Sequence, residues 1–162
     1  MGRVWIDKQT PEVFRAMTDV VAVVRERAAA AGVDRDLLEL VNLRVSQING
    51  CETCLDTHWR SGLAAGLTPQ RMALLPAWRD SALYDDRERA ALGLAEAVTR
   101  TAGTHLDDDA YAAVRGDLTD DEVSVLVWAA ITINAFNRVS ILSAHPVPER
   151  DADGRVVRRR AS

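Results

Sequence analysis

Three side chains with reactive chemistry stand close together in the chain: Cys51, Cys54 and His58. On a helix turning about 100° per residue they fall within a sector of about 60°, so one face can present two thiols and an imidazole. Cys54 and His58 form an i, i+4 pair, the spacing at which helix side chains meet. Cys51 and Cys54 are spaced as in helix-borne dithiols that open and close as a disulfide. The reactive form of a thiol is its thiolate, and an ordinary cysteine is mostly protonated near neutrality. Two features would keep Cys54 ionised: the free N–H groups of a helix N-terminus, and His58 as acceptor of its proton. Such a thiolate attacks a peroxide oxygen and becomes a sulfenic acid. A second thiol three residues away then condenses with it to a disulfide and water.

Other readings compete for the same residues. Cys51, Cys54 and His58 could supply three zinc ligands, but a closed structural site needs a fourth, and neither His105 nor His145 sits in a second ligand pair. A c-type haem site needs histidine directly after the second cysteine, where Leu55 stands. The cysteines could also be inert core thiols, a reading that His58 weakens. A thioredoxin-like protein would place the motif near a βαβ unit, and no strand pattern precedes Cys51. Glu39 lies among Leu37, Leu38, Leu40 and Val41. If buried, its pKa would rise and it could carry protons near neutrality. The residue pattern favours the plainer alternative, in which Glu39, Asn42 and Ser46 form the wet face of their helix.

The elements that must position these groups all read as helices. Thr10 and Pro11 make a hydroxyl cap followed by proline at the first position. Val13, Phe14, Met17, Val20, Val21 and Val24 then recur at helical spacing up to Gly32. Asp34 is placed to cap a second helix bearing Leu37, Leu38, Val41, Val45 and Ile48, closed by Asn49-Gly50. A third runs from Cys51 to about Ala65, with Gly66 as its stop. Thr68-Pro69 opens a short helix that Pro76 breaks. Asp85 or Asp86 caps one from Arg87 to Thr101, and Asp107 to Val114 forms another. Thr119 and Glu122 have capping-box spacing, and the helix behind them, residues 123–136, is apolar nearly all round. Such a helix is either central to the core or shared with another subunit, and the pattern does not choose between the two. His105, His145 and Trp59 read as packing or surface residues, although Trp59 could wall a pocket beside His58. Arg138 could pair with a core carboxylate or lie at a subunit boundary.

With 162 residues, 48% hydrophobic and 27% charged, the chain predicts one domain able to bury a core without disulfide staples. Residues 1–148 form that domain and 149–162 a charged tail. The tail ends Arg158-Arg159-Arg160 and reads as a solvated terminus. A net charge of −4 argues against general nucleic-acid binding. No uninterrupted apolar run reaches the ~20 residues of a membrane span, and Asp7 and Lys8 interrupt any signal-peptide segment. The expected setting is the reducing cytoplasm, where two cysteines suggest redox or metal chemistry rather than a structural disulfide.

Residues 39–58, Glu-Leu-Val-Asn-Leu-Arg-Val-Ser-Gln-Ile-Asn-Gly-Cys-Glu-Thr-Cys-Leu-Asp-Thr-His, resemble the core of the alkyl hydroperoxidase D/carboxymuconolactone decarboxylase family. Residues 133–138, Ile-Asn-Ala-Phe-Asn-Arg, resemble a segment of its single-domain, peroxidase-related members. With Pro11 to Met17, the likeness covers most of the chain to about residue 145. The resemblance implies an all-α, alkyl hydroperoxidase D-like fold assembled as a homo-oligomer, a trimer or hexamer. It implies a thiol peroxidase acting on hydrogen peroxide or organic hydroperoxides, with no cofactor and no metal. Cys54 matches the peroxidatic cysteine, Cys51 the resolving one, His58 the motif histidine and Glu39 the glutamate of a proton relay. A dihydrolipoamide-type or other dithiol partner would re-reduce the disulfide at Cys51, expected to be the more accessible sulfur. Thr53 departs from the family pattern, which has a histidine between the cysteines. The alternatives are a dithiol-exchange or sensing module without turnover, and a decarboxylase-like enzyme, although the decarboxylase branch generally lacks the cysteine pair.

Overall fold

The longest helix starts where its cap predicts. The Thr119 hydroxyl accepts from the Glu122 N–H, and the Glu122 carboxylate accepts from the Thr119 N–H, satisfying two orphan donors at once. From there α8 runs Asp120–Ser143, seven residues beyond the expected end. We describe residues 2–103 and 105–157 in a computed structural model, an all-α fold with eight helices among the described residues. They are α1 (Ile6–Gln9), α2 (Pro11–Ala30), α3 (Arg35–Asn49), α4 (Glu52–Ala64), α5 (Pro69–Leu74), α6 (Asp86–Thr99), α7 (Asp108–Asp117) and α8, with a 3-10 turn at Leu75–Ala77.

Helix α3 is the hub and packs on α8, α4 and α6. Its apolar residues divide between two cores. Leu37, Leu38, Val41 and Val45 join Ala91, Leu94, Leu126, Ala130 and both cysteines in one. Leu40 and Leu43 join Met72, Leu75, Trp78 and Leu92 in the other. Truncating a fully buried leucine such as Leu40 would cost about 2–5 kcal/mol. At Gly50 the chain enters the left-handed region (φ +67°), which ends α3 and turns Cys51 onto the start of α4. Gly62 lets α4 lie close to the next segment, since a Cβ there would meet Met72 Sδ at 2.8 Å.

Several local expectations needed tertiary correction. Thr10 does not cap α2; its hydroxyl donates to the Ile6 carbonyl of α1, a short helix absent from the sequence reading. Asp34 makes no side-chain cap either, and Asp36 accepts from the Leu37 N–H instead. The apolar stripe of α2 is only partly covered: Val13, Val20 and Val23 are exposed, while Phe14 meets Phe136 edge to face. Helix α8 is central to the core along one face and uncovered along the other. Leu126, Ala130 and Ile133 face the core, and Trp128, Ile131 and Leu142 face outward. By length and composition α8 could cross a membrane, although it holds no uninterrupted apolar run of that length; here it packs on α2, α3 and α6. The ends of the domain are tied together: His145 Nε2 meets Asp7 Oδ1 at 2.9 Å. After Pro148 the chain folds back through an Arg150–Val156 bridge, and Arg150 pairs with Asp56 of α4. The Arg158-Arg159-Arg160 run lies outside the described residues.

Candidate active site

Cys51 is the N-cap of α4, and its Sγ accepts from the Cys54 N–H at 3.4 Å. Cys54 lies in the first turn, where helix N–H groups lack intrahelical partners. Both thiols are free and buried, and they lie within hydrogen-bonding reach of each other. A cavity of about 250 Å³ opens beside Cys54. His58, Glu39 and Asn42 line it with Cys54, and α8 contributes Ile133, Phe136 and Ser140. Cys51 lies behind Cys54, outside the lining, at 1% exposure against 6% for Cys54. The expected order of accessibility is therefore reversed in the dithiol form. Tertiary packing seals the N-cap sulfur under α8, whereas the next turn of α4 opens onto the cavity.

Glu39 is wholly buried, and so is Ser46; the wet-face reading fails because α4 and α8 cover that side of α3. His58 Nδ1 and Glu39 Oε2 are 2.6 Å apart. Arg35 approaches the other oxygen at 2.6 Å as an ion pair rather than an aligned hydrogen bond. Burial pushes the Glu39 pKa up, but the hydrogen bond and charge of His58 and the charge of Arg35 more than offset it, so the net shift is downward. This corrects the expectation of a raised pKa. Glu39 is a carboxylate at neutrality, placed to orient the His58 ring through Nδ1. Among the described residues no hydrogen bond joins His58 to Cys54; they share the cavity wall instead.

The thiols also behave differently from expectation. The Cys51 pKa is lowered to about 7, first by the hydrogen bond from the Cys54 thiol, with the Cys54 N–H and the Ser140 hydroxyl adding to it against burial. Cys54 is raised, first because its thiol donates to Cys51, then by burial and by the charge on Cys51. The reason is geometric. The backbone donor at the helix start points at the N-cap sulfur, and two adjoining thiols readily lose only one proton. At neutrality the pair is best described as sharing one charge.

Helix α8 supplies groups that the residue pattern did not single out. Ser140 Oγ lies 3.9 Å from Cys54 Sγ. Asn137 is fully buried, donates to Ser46 Oγ at 3.2 Å and accepts from Asn49 at 2.8 Å, and its amide also favours charge on Cys54. Asn49 donates to Asn134 as well, and exposed Arg138 donates to the Asn134 side chain rather than to a core carboxylate. Polar residues interrupting so apolar a helix were the available signal. Thr53 lines the cavity and donates to the His145 carbonyl at 3.1 Å, while Trp59 is outside the lining and 38% exposed. Among the described residues no three His, Cys, Asp or Glu side chains are placed to hold a metal ion.

Comparison with known proteins gives a consistent result. Residues 11–97 match the carboxymuconolactone decarboxylase family. The chain is 34% identical over 131 residues to the uncharacterized protein YdfG of Bacillus subtilis (strain 168), covering 81% of this chain and 86% of that one. It is also 34% identical over 120 residues to an uncharacterized Mycobacterium tuberculosis protein, 74% of this chain but 40% of that longer one. The crystal structure of an Agrobacterium tumefaciens protein of unknown function, suggested to be the antioxidant defence protein AhpD, matches with a TM-score of 0.84. That match has 33% identity and covers 93% of this chain and 100% of the other.

Proposed function

The chain belongs to the carboxymuconolactone decarboxylase family and has an AhpD-like fold, and from that premise we propose that it is a thiol-dependent peroxidase working through a Cys51–Cys54 disulfide. The observation that carries this reading is a thiol, Cys54, on the wall of a cavity that also holds an imidazole–carboxylate pair. The dithiol pair gives its first proton to His58, whose ring Glu39 orients. Entry of a hydroperoxide ROOH draws the remaining proton from Cys54 to Cys51 along their hydrogen bond. Cys54 Sγ then attacks the terminal oxygen; an S–O bond forms, the O–O bond breaks, and the departing alkoxide takes the proton of His58 and leaves as ROH. Cys51 next attacks the Cys54 sulfenic acid; an S–S bond forms, the S–O bond breaks, and water leaves carrying the Cys51 proton. The net change is two thiols and ROOH to one disulfide, ROH and water. A dihydrolipoamide-type or other dithiol donor returns two electrons and two protons.

Because Cys54 is the sulfur on the cavity, it is assigned the peroxidatic role, and the acidic, sheltered Cys51 the resolving role. A thiol titration before and after peroxide tests this. Parent protein should lose both thiols per equivalent of peroxide, Cys51→Ser should stop at a sulfenic acid, and Cys54→Ser should lose the reaction. Full peroxidase activity in Cys54→Ser with a dithiol donor would end the assignment. A second reading, dithiol exchange or sensing without turnover, is favoured by one feature. The Thr53 hydroxyl is committed to a carbonyl, so position 53 offers no titrating group. That reading expects the same disulfide but no steady-state peroxide consumption. We also propose a homo-oligomer that covers the apolar faces of α2 and α8 around Val20, Val23 and Trp128; light scattering after size-exclusion chromatography tests it.

A further inference from the structure

We propose that the cavity beside Cys54 takes a hydroperoxide with a carboxylate on an apolar chain, and that Arg25 is the residue that selects the carboxylate. The hydroperoxide part of this inference rests on the peroxidase reading; the carboxylate part rests on the cavity itself. Its interior end holds Cys54, and its walls are Val21, Val24, Leu38 and Phe136. Its outer end carries two exposed arginines, Arg25 from α2 and Arg35 from α3. A volume of about 250 Å³ equals the share of about eight waters, enough for a short acyl chain.

The charges do not balance without a ligand. Arg25, Arg35, Glu39 and His58 are the ionisable side chains of the lining besides Cys54. Glu39 is already committed to His58 through one oxygen and to Arg35 through the other. Arg25 makes no hydrogen bond or ion pair among the described residues; burial and the charge of Arg35 lower its pKa, and the charge of Glu39 offsets this only in part. Whether the thiol pair keeps its proton or passes it to His58, the lining together with that pair carries one excess positive charge, which a single carboxylate would match. Guanidinium groups bind carboxylates in a planar, paired geometry that a lysine or a neutral donor does not reproduce. A ligand of this kind would lay its chain on the apolar walls and place its far end, the hydroperoxide, at Cys54. The reaction then converts the bound hydroperoxy carboxylate to the hydroxy carboxylate and water, at the expense of the two thiols.

Arg25 is a better test than Arg35, because changing Arg35 would also disturb Glu39. Isothermal titration of the full-length protein with octanoate and with octan-1-ol reads the carboxylate directly. Octanoate should bind more tightly than octan-1-ol, and Arg25→Gln should reduce that advantage about tenfold or more, with Arg25→Lys recovering part of it. In turnover, Arg25→Gln should lower the ratio of kcat/KM for a fatty-acid hydroperoxide to that for cumene hydroperoxide by a similar factor, leaving the KM for the dithiol donor in place. Equal binding of octanoate and octan-1-ol, or an unchanged ratio in Arg25→Gln, overturns the proposal. Failure of the peroxidase reading looks different: no hydroperoxide oxidises the thiols, while octanoate still binds through Arg25.

Discussion

Two of the buried carboxylates, Glu96 and Glu39, are used in opposite ways. Glu96 of α6 is 2% exposed and Glu39 of α3 is 0% exposed. Around Glu96 every acceptor position is taken by a fixed donor. Oε1 receives Arg44 at 2.7 Å and Trp78 at 2.9 Å, and Oε2 receives Arg79 at 2.9 Å and Arg100 at 3.0 Å. Burial raises its pKa, but these hydrogen bonds more than reverse that and bring it to about 2. Glu39 has one hydrogen-bonded oxygen, its partner is an imidazole that can itself gain and lose a proton, and it faces a cavity. Guanidinium groups do not deprotonate in proteins, so Glu96 can only brace α3, α6 and the segment around Trp78. The difference teaches that burial alone does not mark a reactive carboxylate; what marks it is a titratable partner and access for a substrate.

That contrast can be broken by experiment. The largest effect is expected from Glu39→Gln, which removes the carboxylate that orients His58 and offsets the charge it gains on taking the thiol proton: the rate of peroxide-driven thiol oxidation should fall by roughly 10²–10⁴-fold. Stability should change less, since exposed Arg35 can be rehydrated. Stopped-flow oxidation beside urea unfolding would measure both. Glu96→Ala should do the reverse: it leaves Arg44 buried without its carboxylate, costing about 3–5 kcal/mol in urea unfolding, while the folded fraction keeps most of its oxidation rate. A Glu96 variant that lost rate without losing stability would break the contrast.

Smaller effects sharpen it. Both carboxylates have folded-state pKa values below their unfolded ones. The unfolded chain therefore takes up protons first as pH falls, and the stability they confer is complete above the ordinary carboxylate range of about 4.3. For Glu96 it is lost progressively as pH falls toward about 2. Acid unfolding followed by circular dichroism should show this slope, and Glu96→Gln should flatten it. The smallest effect concerns the thiols. Thiolate absorbance should rise with a midpoint near the Cys51 value of about 7. In Cys51→Ser, Cys54 should ionise at lower pH than in the parent, because the sulfur that holds its proton is gone. An unchanged Cys54 midpoint would separate the two sulfurs electrostatically.

How much of this was legible in the sequence depended on range in the chain. The Thr119–Glu122 box, the Gly50 stop and the Cys51–Cys54–His58 spacing could be read because each involves groups within about one helical turn, whose geometry the helix itself imposes. Resemblance to a family assigned Glu39 a role that its own pattern argued against, since Glu39, Asn42 and Ser46 look like a solvent stripe until α4 and α8 cover them. The sign of the Glu39 shift, the sheltering of Cys51 rather than Cys54, the placing of Ser140 and Asn137 against the sulfurs, and the position of Arg25 at the cavity mouth were decided by tertiary structure alone. Burial and charge compensation depend on side chains that approach from helices far away in the chain, and periodicity shows which face a residue occupies without showing what will cover it.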